Sequence, residues 1–180
     1  MSAAMLPGLM AGVVEPTSAG RVTTLRRVEF WVTGEPKPMG SKSAFVIPGT
    51  NRAIVTDGSS SKPAVKKLKA WKASVCDAAH QVADGRPLDG CLRVTLAFYL
   101  ERPSSHYGSG KNAGDVRASA PRRPWSKPDV DKLQRQVLDC LTQSGLIRDD
   151  SRVVSATAEK WYAALGQPTG ARIVVEEMGQ

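Results

Sequence analysis

Four aspartates in the second half of the chain have the side chains and the spacing of a metal site. Asp129 and Asp131 lie two residues apart in the run Lys-Pro-Asp-Val-Asp-Lys-Leu, and the pair Asp149 and Asp150 follows further along. Pro128 favours an extended or turn start to this run, and residues two apart in an extended segment point the same way. Adjacent carboxylates repel each other unless a cation lies between them, and their hard oxygen atoms suit Mg²⁺ or Mn²⁺. The spacing therefore predicts a divalent-metal site.

A third ligand is expected from the Asp149–Asp150 pair. A helix over residues 132–144 would advance about 20 Å at ~1.5 Å per residue. An extended return over residues 145–150 would cover about the same distance at ~3.3 Å per residue. On this geometry the pair arrives beside the start of the helix and completes the site.

Each aspartate also has an ordinary structural explanation. Asp129 or Asp131 can cap the helix that follows, and Asp149–Asp150 can form a turn before a strand. A single pair of aspartates separated by one residue is a weak motif. The convergence of three carboxylates in basic surroundings favours the metal site over these separate explanations.

The charge of the chain favours a polyanionic partner. Its 180 residues contain 25 Lys and Arg against 17 Asp and Glu, a net charge of +8. Such a surplus is typical of proteins that bind nucleic acid or an anionic surface, although a basic soluble protein is the plain alternative. No apolar run approaches the ~18 residues of a membrane span, so we predict no membrane partner and a cytoplasmic location. Residues 1–25 are expected to be a flexible tail before one domain over 26–180.

Other chemistries find no support in the sequence. The three cysteines and two histidines lack the spacing of a zinc site, and the cysteines are expected to be reduced. No glycine-rich phosphate loop is complete, so no nucleotide cofactor is predicted. A Mg²⁺-dependent nuclease (with Mn²⁺ as a possible substitute metal) is the interpretation that uses both the carboxylates and the charge.

Apolar periodicity predicts one α+β domain with two main helices and a mixed sheet. Helices are expected over 62–83 and 133–141, with Gly145 ending the second. Strands are expected over 28–32, 44–47, 53–55, 91–100, 153–162 and 172–176. Trp31, Trp71 and Trp161 are expected in the core.

A long basic loop is predicted over residues 102–126, where Gly, Ser, Pro and Ala dominate. Loops of this length in compact domains are often functional, and Tyr107 and Trp125 either stack on unpaired bases or anchor the loop. A lysine stripe on the first helix is the second basic feature, with a solvated helix face as its alternative explanation. The candidate DNA-binding residues are Lys62, Lys66, Lys69, Arg102, Lys111, Arg117, Arg122, Arg123, Lys127 and Lys132.

The aspartate block and its surroundings resemble a known family. The run from Lys127 to Leu133, the segment 137–141, Gly145, the Asp-Asp-Ser run at 149–151 and Val153-Val154 are similar to the RusA family of Holliday junction resolvases. The resemblance is strongest over 126–177 and extends more loosely to the 34–38 turn and the 102–107 loop. It implies a compact α/β domain that acts as a homodimer with two active sites on four-way junction DNA.

The resemblance also assigns roles to individual residues. Asp129, Asp131 and Asp150 correspond to the family's essential aspartates, and Asp149 becomes a supporting neighbour. Arg135 stands where the family commonly has a lysine; an arginine keeps the charge but is a permanently protonated donor.

Three rival functions remain at this stage. A glycosyltransferase would need a nucleotide-binding half before its aspartate motif, which this chain lacks. A non-catalytic basic DNA-binding protein would tolerate changes at Asp129 and Asp131. A nuclease of broader branched-DNA specificity would have the same site.

Overall fold

The computed structural model describes residues 25–39, 42–57 and 62–179. The predicted flexible tail therefore lies outside the described residues except for Leu25. Helix α1 spans Lys62–Val82 and helix α2 spans Val130–Gln143. The strands are β1 Arg27–Thr33, β2 Lys42–Val46, β3 Ala53–Asp57, β4 Cys91–Leu100, β5 Val153–Tyr162 and β6 Gly170–Met178.

Four of the strands form a mixed sheet in the order β1-β6-β4-β5. Strand β6 pairs antiparallel with both β1 and β4, whereas β4 and β5 pair in parallel. A parallel pair needs a long crossover connection, and here the crossover contains the basic loop and α2. Strands β2 and β3 form a separate antiparallel hairpin. The predicted α+β class and mixed sheet are confirmed.

The core lies between the two helices and one face of the sheet. Alternate residues of β4, among them Val94, Leu96 and Phe98, are fully buried, as the apolar alternation predicts. Residues of α2 such as Leu133 and Val137 pack in the same cluster as Val75 of α1. Both helices therefore cover the same face, because their apolar stripes need a common partner surface.

The opposite face of the sheet explains an incorrect core prediction. Trp71 on α1 is 3% exposed, as expected, but Trp31 on β1 is 40% exposed. Trp31 packs against Tyr99 on this second face, with ring centroids 5.2 Å apart. Trp161 is only half-buried. Strand alternation alone does not reveal which face the helices cover.

Helix α2 begins earlier than predicted and ends where expected. Its first residue is Val130, so Asp131 lies in the first helical turn and not in an extended segment. Gly145 adopts a positive φ of 75°, which the missing side chain of glycine allows and which commonly ends a helix. The stop signal was readable in the sequence; the helix start was not, because aspartate is common at both N-cap and first-turn positions.

The basic loop is folded. It contains two 3₁₀ turns, Ser104–His106 and Gly110–Asn112, and an isolated bridge joins Tyr107 to Val116. Within the part of the chain that the structure describes, no helix is both long and apolar enough to cross a membrane.

Candidate active site

Asp129 occupies the N-cap position of α2 but does not cap it. Its backbone is extended (φ −70°, ψ 132°), and its side chain accepts no capping hydrogen bond. A carboxylate oxygen of Asp129 instead lies 3.0 Å from Nζ of Lys132, one turn into the helix. The capping explanation of this aspartate is therefore not realised, and the carboxylate faces cations and solvent.

The surrounding cations keep Asp129 ionised. The hydrogen bond from Lys132, and then the charge of that ammonium, hold the pKa of the Asp129 carboxyl below its usual range, with smaller contributions from Lys127 and Lys160. Asp131 is exposed in the first turn of the same helix, where the helix dipole favours negative charge. Two carboxylate side chains are thus available as oxygen ligands at one helix end.

Lys160 of β5 anchors the segment that leads into this helix. Its Nζ donates to the carbonyl oxygens of Ser126 at 2.7 Å and Pro128 at 2.9 Å. The backbone N–H of Met39 also donates to the carbonyl of Lys132 at 3.2 Å. The start of α2 is therefore held by the sheet on one side and by the segment after β1 on the other.

Lys160 was missed in the sequence. It pairs in register with Phe98, a buried residue whose side chain faces the helices. A lysine at such an inward position needs polar partners, which would have indicated an anchoring role. The inward position itself can be recognised only once the register of β5 against β4 is known.

A cavity of about 430 Å³ adjoins the anchored segment. It opens between the turn after β1, the end of β4 and the residues that precede α2. Its lining is Glu35, Pro36, Lys37, Pro38, Leu100, Glu101, Arg102, Pro103, Ser104, Pro124, Ser126, Lys127, Pro128 and Tyr162.

The Asp149–Asp150 pair forms a turn before β5. A side-chain oxygen of Asp149 accepts a hydrogen bond from the backbone N–H of Ser151 at 2.9 Å. Hydrogen bonds from Ser151 also keep the pKa of Asp149 below its usual range. Asp150 is exposed at the start of the 3₁₀ turn Asp150–Arg152. Asp149 therefore shapes the turn that presents Asp150.

The return from α2 does not follow the predicted path. The N–H groups of Leu146 and Ile147 both donate to the carbonyl of Leu141, at 3.1 and 3.2 Å, so the chain is still at the end of the helix when it reaches Ile147. The three residues from Ile147 to Asp150 span at most ~10 Å. The helix from Leu141 back to Asp131 is longer, at ~15 Å, so this segment is too short to bring Asp150 level with Asp131.

Strand β5 also separates Asp150 from the start of α2. Its Lys160 is tied to the residues before α2, whereas Asp150 lies three residues before the first strand residue, Val153. Lys160 lies seven positions after Val153, a distance of ~23 Å at ~3.3 Å per residue. The prediction that Asp150 returns beside the start of the helix is wrong for a single copy of the chain. In agreement with this, no three His, Cys, Asp or Glu side chains among the described residues lie close enough together to hold one metal ion.

Burial explains the error. Leu146 and Ile147 are both buried in the core, and Leu146 accepts from the N–H of Leu88 at 2.8 Å. Arg148 then donates to the Leu88 carbonyl at 3.1 Å. These contacts hold the return segment beside the start of β4. The predicted path assumed that residues 145–150 extend freely along α2.

Arg135 lies one helical turn after Asp131. It is exposed and makes no hydrogen bond or ion pair with any described residue. Residues four apart lie on the same side of a helix, so the Arg135 side chain and the Asp131 carboxylate share one face of α2. The position is suited to contact an anion that approaches the carboxylates.

Three arginines of the basic loop serve to hold it together. Arg102 donates to the carbonyl of Pro121 at 3.1 Å and stacks on the ring of Tyr162. Arg117 donates to the carbonyl of Tyr107 at 2.6 Å. Tyr107 is itself half-buried, and its backbone is held within the loop, which favours the anchoring explanation for this residue.

Arg123 is engaged in the same way. Its guanidinium stacks on the ring of Trp161 at 3.6 Å and lies 3.5 Å from Glu159. Among the other candidate DNA-binding residues, Lys132 pairs with Asp129. The rest are exposed and have no hydrogen bond or ion pair within the described chain: Lys62, Lys66 and Lys69 on α1, and Lys111, Arg122 and Lys127 in and beside the loop.

A comparison with protein-family models identifies the class of the chain as an endodeoxyribonuclease. The matching model is described as Endodeoxyribonuclease RusA, and it covers residues 46–176, which include both aspartate groups. The chain therefore belongs to the RusA family of Holliday junction resolvases. A search of curated proteins found no match. The family resemblance drawn from the aspartate block is confirmed.

Proposed function

We propose that this protein is a Mg²⁺-dependent endonuclease that resolves four-way DNA junctions by paired symmetric cuts during recombination or repair. The observation that supports this best is the pair of exposed carboxylates, Asp129 and Asp131, on an anchored helix start. Family membership supplies the substrate class, since RusA resolvases act on junction DNA. The cytoplasmic location remains a prediction.

The carboxylates suit a divalent ion by their chemistry. Asp129, Asp131 and Asp150 are exposed, and the cations around Asp129 keep that carboxyl ionised. Hard oxygen atoms of this kind are the ligands that Mg²⁺ prefers. When bound, the ion lowers the pKa of a coordinated water and stabilises negative charge on the phosphate. Asp149 supports Asp150 through its turn with Ser151.

The separation of the carboxylates supports a homodimer with shared sites. One chain carries Asp129 and Asp131 at the start of α2 and Asp150 near its end, so a site that uses all three needs Asp150 from a second copy. Two copies related by a two-fold axis present the same surface patch to each other. If the α2 helices of the two copies pair antiparallel across this axis, the start of one helix lies beside the end of the other. The arrangement gives two equivalent sites, as two symmetric cuts require.

Cations near the carboxylates reduce the repulsion of the phosphate. Lys132 pairs with Asp129, and Arg135 presents an unpaired guanidinium one turn further along α2. We assign Arg135 the role of clamp for the scissile or adjacent phosphate, because a guanidinium matches phosphate oxygens with two donors. Exposed lysines and arginines of α1 and the loop supply salt-dependent affinity for the rest of the DNA.

Cleavage of a synthetic immobile four-way junction tests this function. With Mg²⁺ we expect paired symmetric nicks in the junction, no cutting of a linear duplex of the same sequence, and complete loss of cutting with EDTA. Asp129→Asn, Asp131→Asn and Asp150→Asn should each abolish cutting and keep junction binding, since the amide removes a ligand charge and some repulsion of phosphate.

The rival functions predict other results. Equal cutting of junctions, forks and flaps would indicate a broader branched-DNA nuclease. Tight junction binding without cutting in Mg²⁺ or Mn²⁺ would leave a non-catalytic DNA-binding protein. Normal cutting by Asp150→Asn would exclude that residue from the site.

A further inference from the structure

Trp125 is unusual because its large apolar side chain is 89% exposed. A tryptophan normally buries most of its ring surface, as Trp71 does in the core of this protein. Tryptophan is one of the side chains most enriched at the energetically important contacts between a protein and its partner.

The backbone on both sides of Trp125 is fixed. Pro124 is buried, and the carbonyl of Ser126 accepts the hydrogen bond from Lys160 at 2.7 Å. Two residues before the indole, Arg123 is held on β5 by Trp161 and Glu159. The exposure of Trp125 is therefore a property of an anchored segment, and the ring is offered from a defined position.

The surroundings of the indole indicate the chemistry of its partner. Arg122 and Lys127, three positions before and two after it, are exposed cations without an ion pair in the described structure. Asp129 follows four residues after Trp125, so the ring is presented beside the proposed cleavage site. An aromatic ring among cations is the pattern that binds unpaired nucleobases, by stacking on the base and attracting the phosphates.

We propose that Trp125 stacks on a base that unpairs at the branch point of the DNA, and so positions the adjoining strand beside Asp129. The inference rests on the proposed function and adds a positioning residue to it. Stacking is tolerant of sequence because every base has a π-face, so Trp125 favours branched over continuous duplex DNA without selecting a base. A linear duplex offers it no unpaired base.

Binding in EDTA tests this proposal without any cleavage. The measurement is the Kd of wild type, Trp125→Ala and Trp125→Phe for an immobile junction and for a linear duplex. Replacing one base-stacking aromatic side chain by alanine typically costs about 5- to 150-fold in affinity. We expect a loss in that range for Trp125→Ala on the junction, little change on the duplex, and substantial recovery with phenylalanine. Leu165→Ala is the matched control, since Leu165 is a 69% exposed apolar residue in the turn before β6.

Junctions with abasic sites at the branch complete the test. If Trp125 stacks on a branch base, wild type and Trp125→Ala should bind the abasic junction equally. A loss that persists on abasic junctions, or no loss on the intact junction, would overturn the proposal.

Dissociation of Trp125→Ala dimers at concentrations where wild type stays dimeric, measured by sedimentation, would also overturn it and make Trp125 a subunit contact. Failure of wild type to cut junctions would refute the proposed function. The binding comparison in EDTA does not depend on cleavage, so it would still support or overturn the role of Trp125.

Discussion

At the scale of residues, the start of α2 alternates carboxylates with cations. Asp129 is paired with Lys132, and Asp131 is followed one turn later by Arg135. In a chain with net charge +8, this arrangement would keep the proposed acidic ligands compatible with a polyanionic substrate. The aspartates were predictable as candidates from their number, their basic surroundings and the family resemblance, since a single pair separated by one residue is a weak motif. Lys160 was not, since its function depends on the register of two distant strands.

Arg135 provides a test of the phosphate clamp. Because the side chain makes no ion pair within the described structure, its removal should leave folding intact and affect mainly the transition state. We expect Arg135→Ala to lower the single-turnover cleavage rate by about 100-fold, the order found when one stabilising donor is removed from an active site. Arg135→Lys should recover part of the rate, because it keeps the positive charge but lacks the two parallel donors of the guanidinium.

The control for this substitution is Arg93→Ala, which removes an exposed arginine from the sheet face away from α2. Its cleavage rate should stay near that of wild type. If Arg135→Ala loses junction affinity and rate in equal proportion and lysine does not restore either, the clamp assignment is incorrect.

At the scale of elements, the position of the helix start is set by tertiary contacts. The two carbonyls held by Lys160 tie the residues before α2 to the sheet. Periodicity located both helices and the four sheet strands, since burial on one face leaves a repeating apolar pattern. The path from Gly145 to Asp150 was mispredicted because the burial of Leu146 and Ile147 cannot be inferred from the length of the segment.

Removal of the anchor tests its importance. Lys160→Met keeps the length of the side chain but leaves the carbonyls of Ser126 and Pro128 without their donor. One of these hydrogen bonds is exposed and the other partly buried, so water can replace the donor and the change should cost about 0.5–1.5 kcal/mol of unfolding free energy. Urea denaturation should show this loss, and cleavage should fall more than junction binding because Asp129 loses its fixed position.

Lys111→Met serves as the comparison, because Lys111 is exposed and has no partner among the described residues. A surface change of this kind should stay within about 0.5 kcal/mol of wild type. Equal stability and equal cleavage for Lys160→Met and wild type would show that the anchor does not position the site.

At the scale of the whole molecule, the carboxylates lie at two ends of one helix. Asp129 and Asp131 follow directly after Ser126 and Pro128, whose carbonyls are held by Lys160 near the end of β5. Asp150 lies before the beginning of the same strand, ~23 Å of strand away. A single copy of the chain therefore does not assemble the three ligands that the family resemblance assigns. The proposed two-fold dimer would resolve this difficulty and would supply the paired sites that symmetric cutting of a four-way junction needs.

The most direct test of this account is cleavage by mixed dimers of Asp129→Asn and Asp150→Asn. In the mixed dimer one shared site loses both residues, while the other combines an intact Asp129 and Asp131 with an intact Asp150. We predict that each variant alone is inactive and that differently tagged mixed dimers, purified through both tags, nick junctions in Mg²⁺ at one site without paired cuts. Mixed dimers that form but remain as inactive as their parents would contradict a metal site shared between two copies.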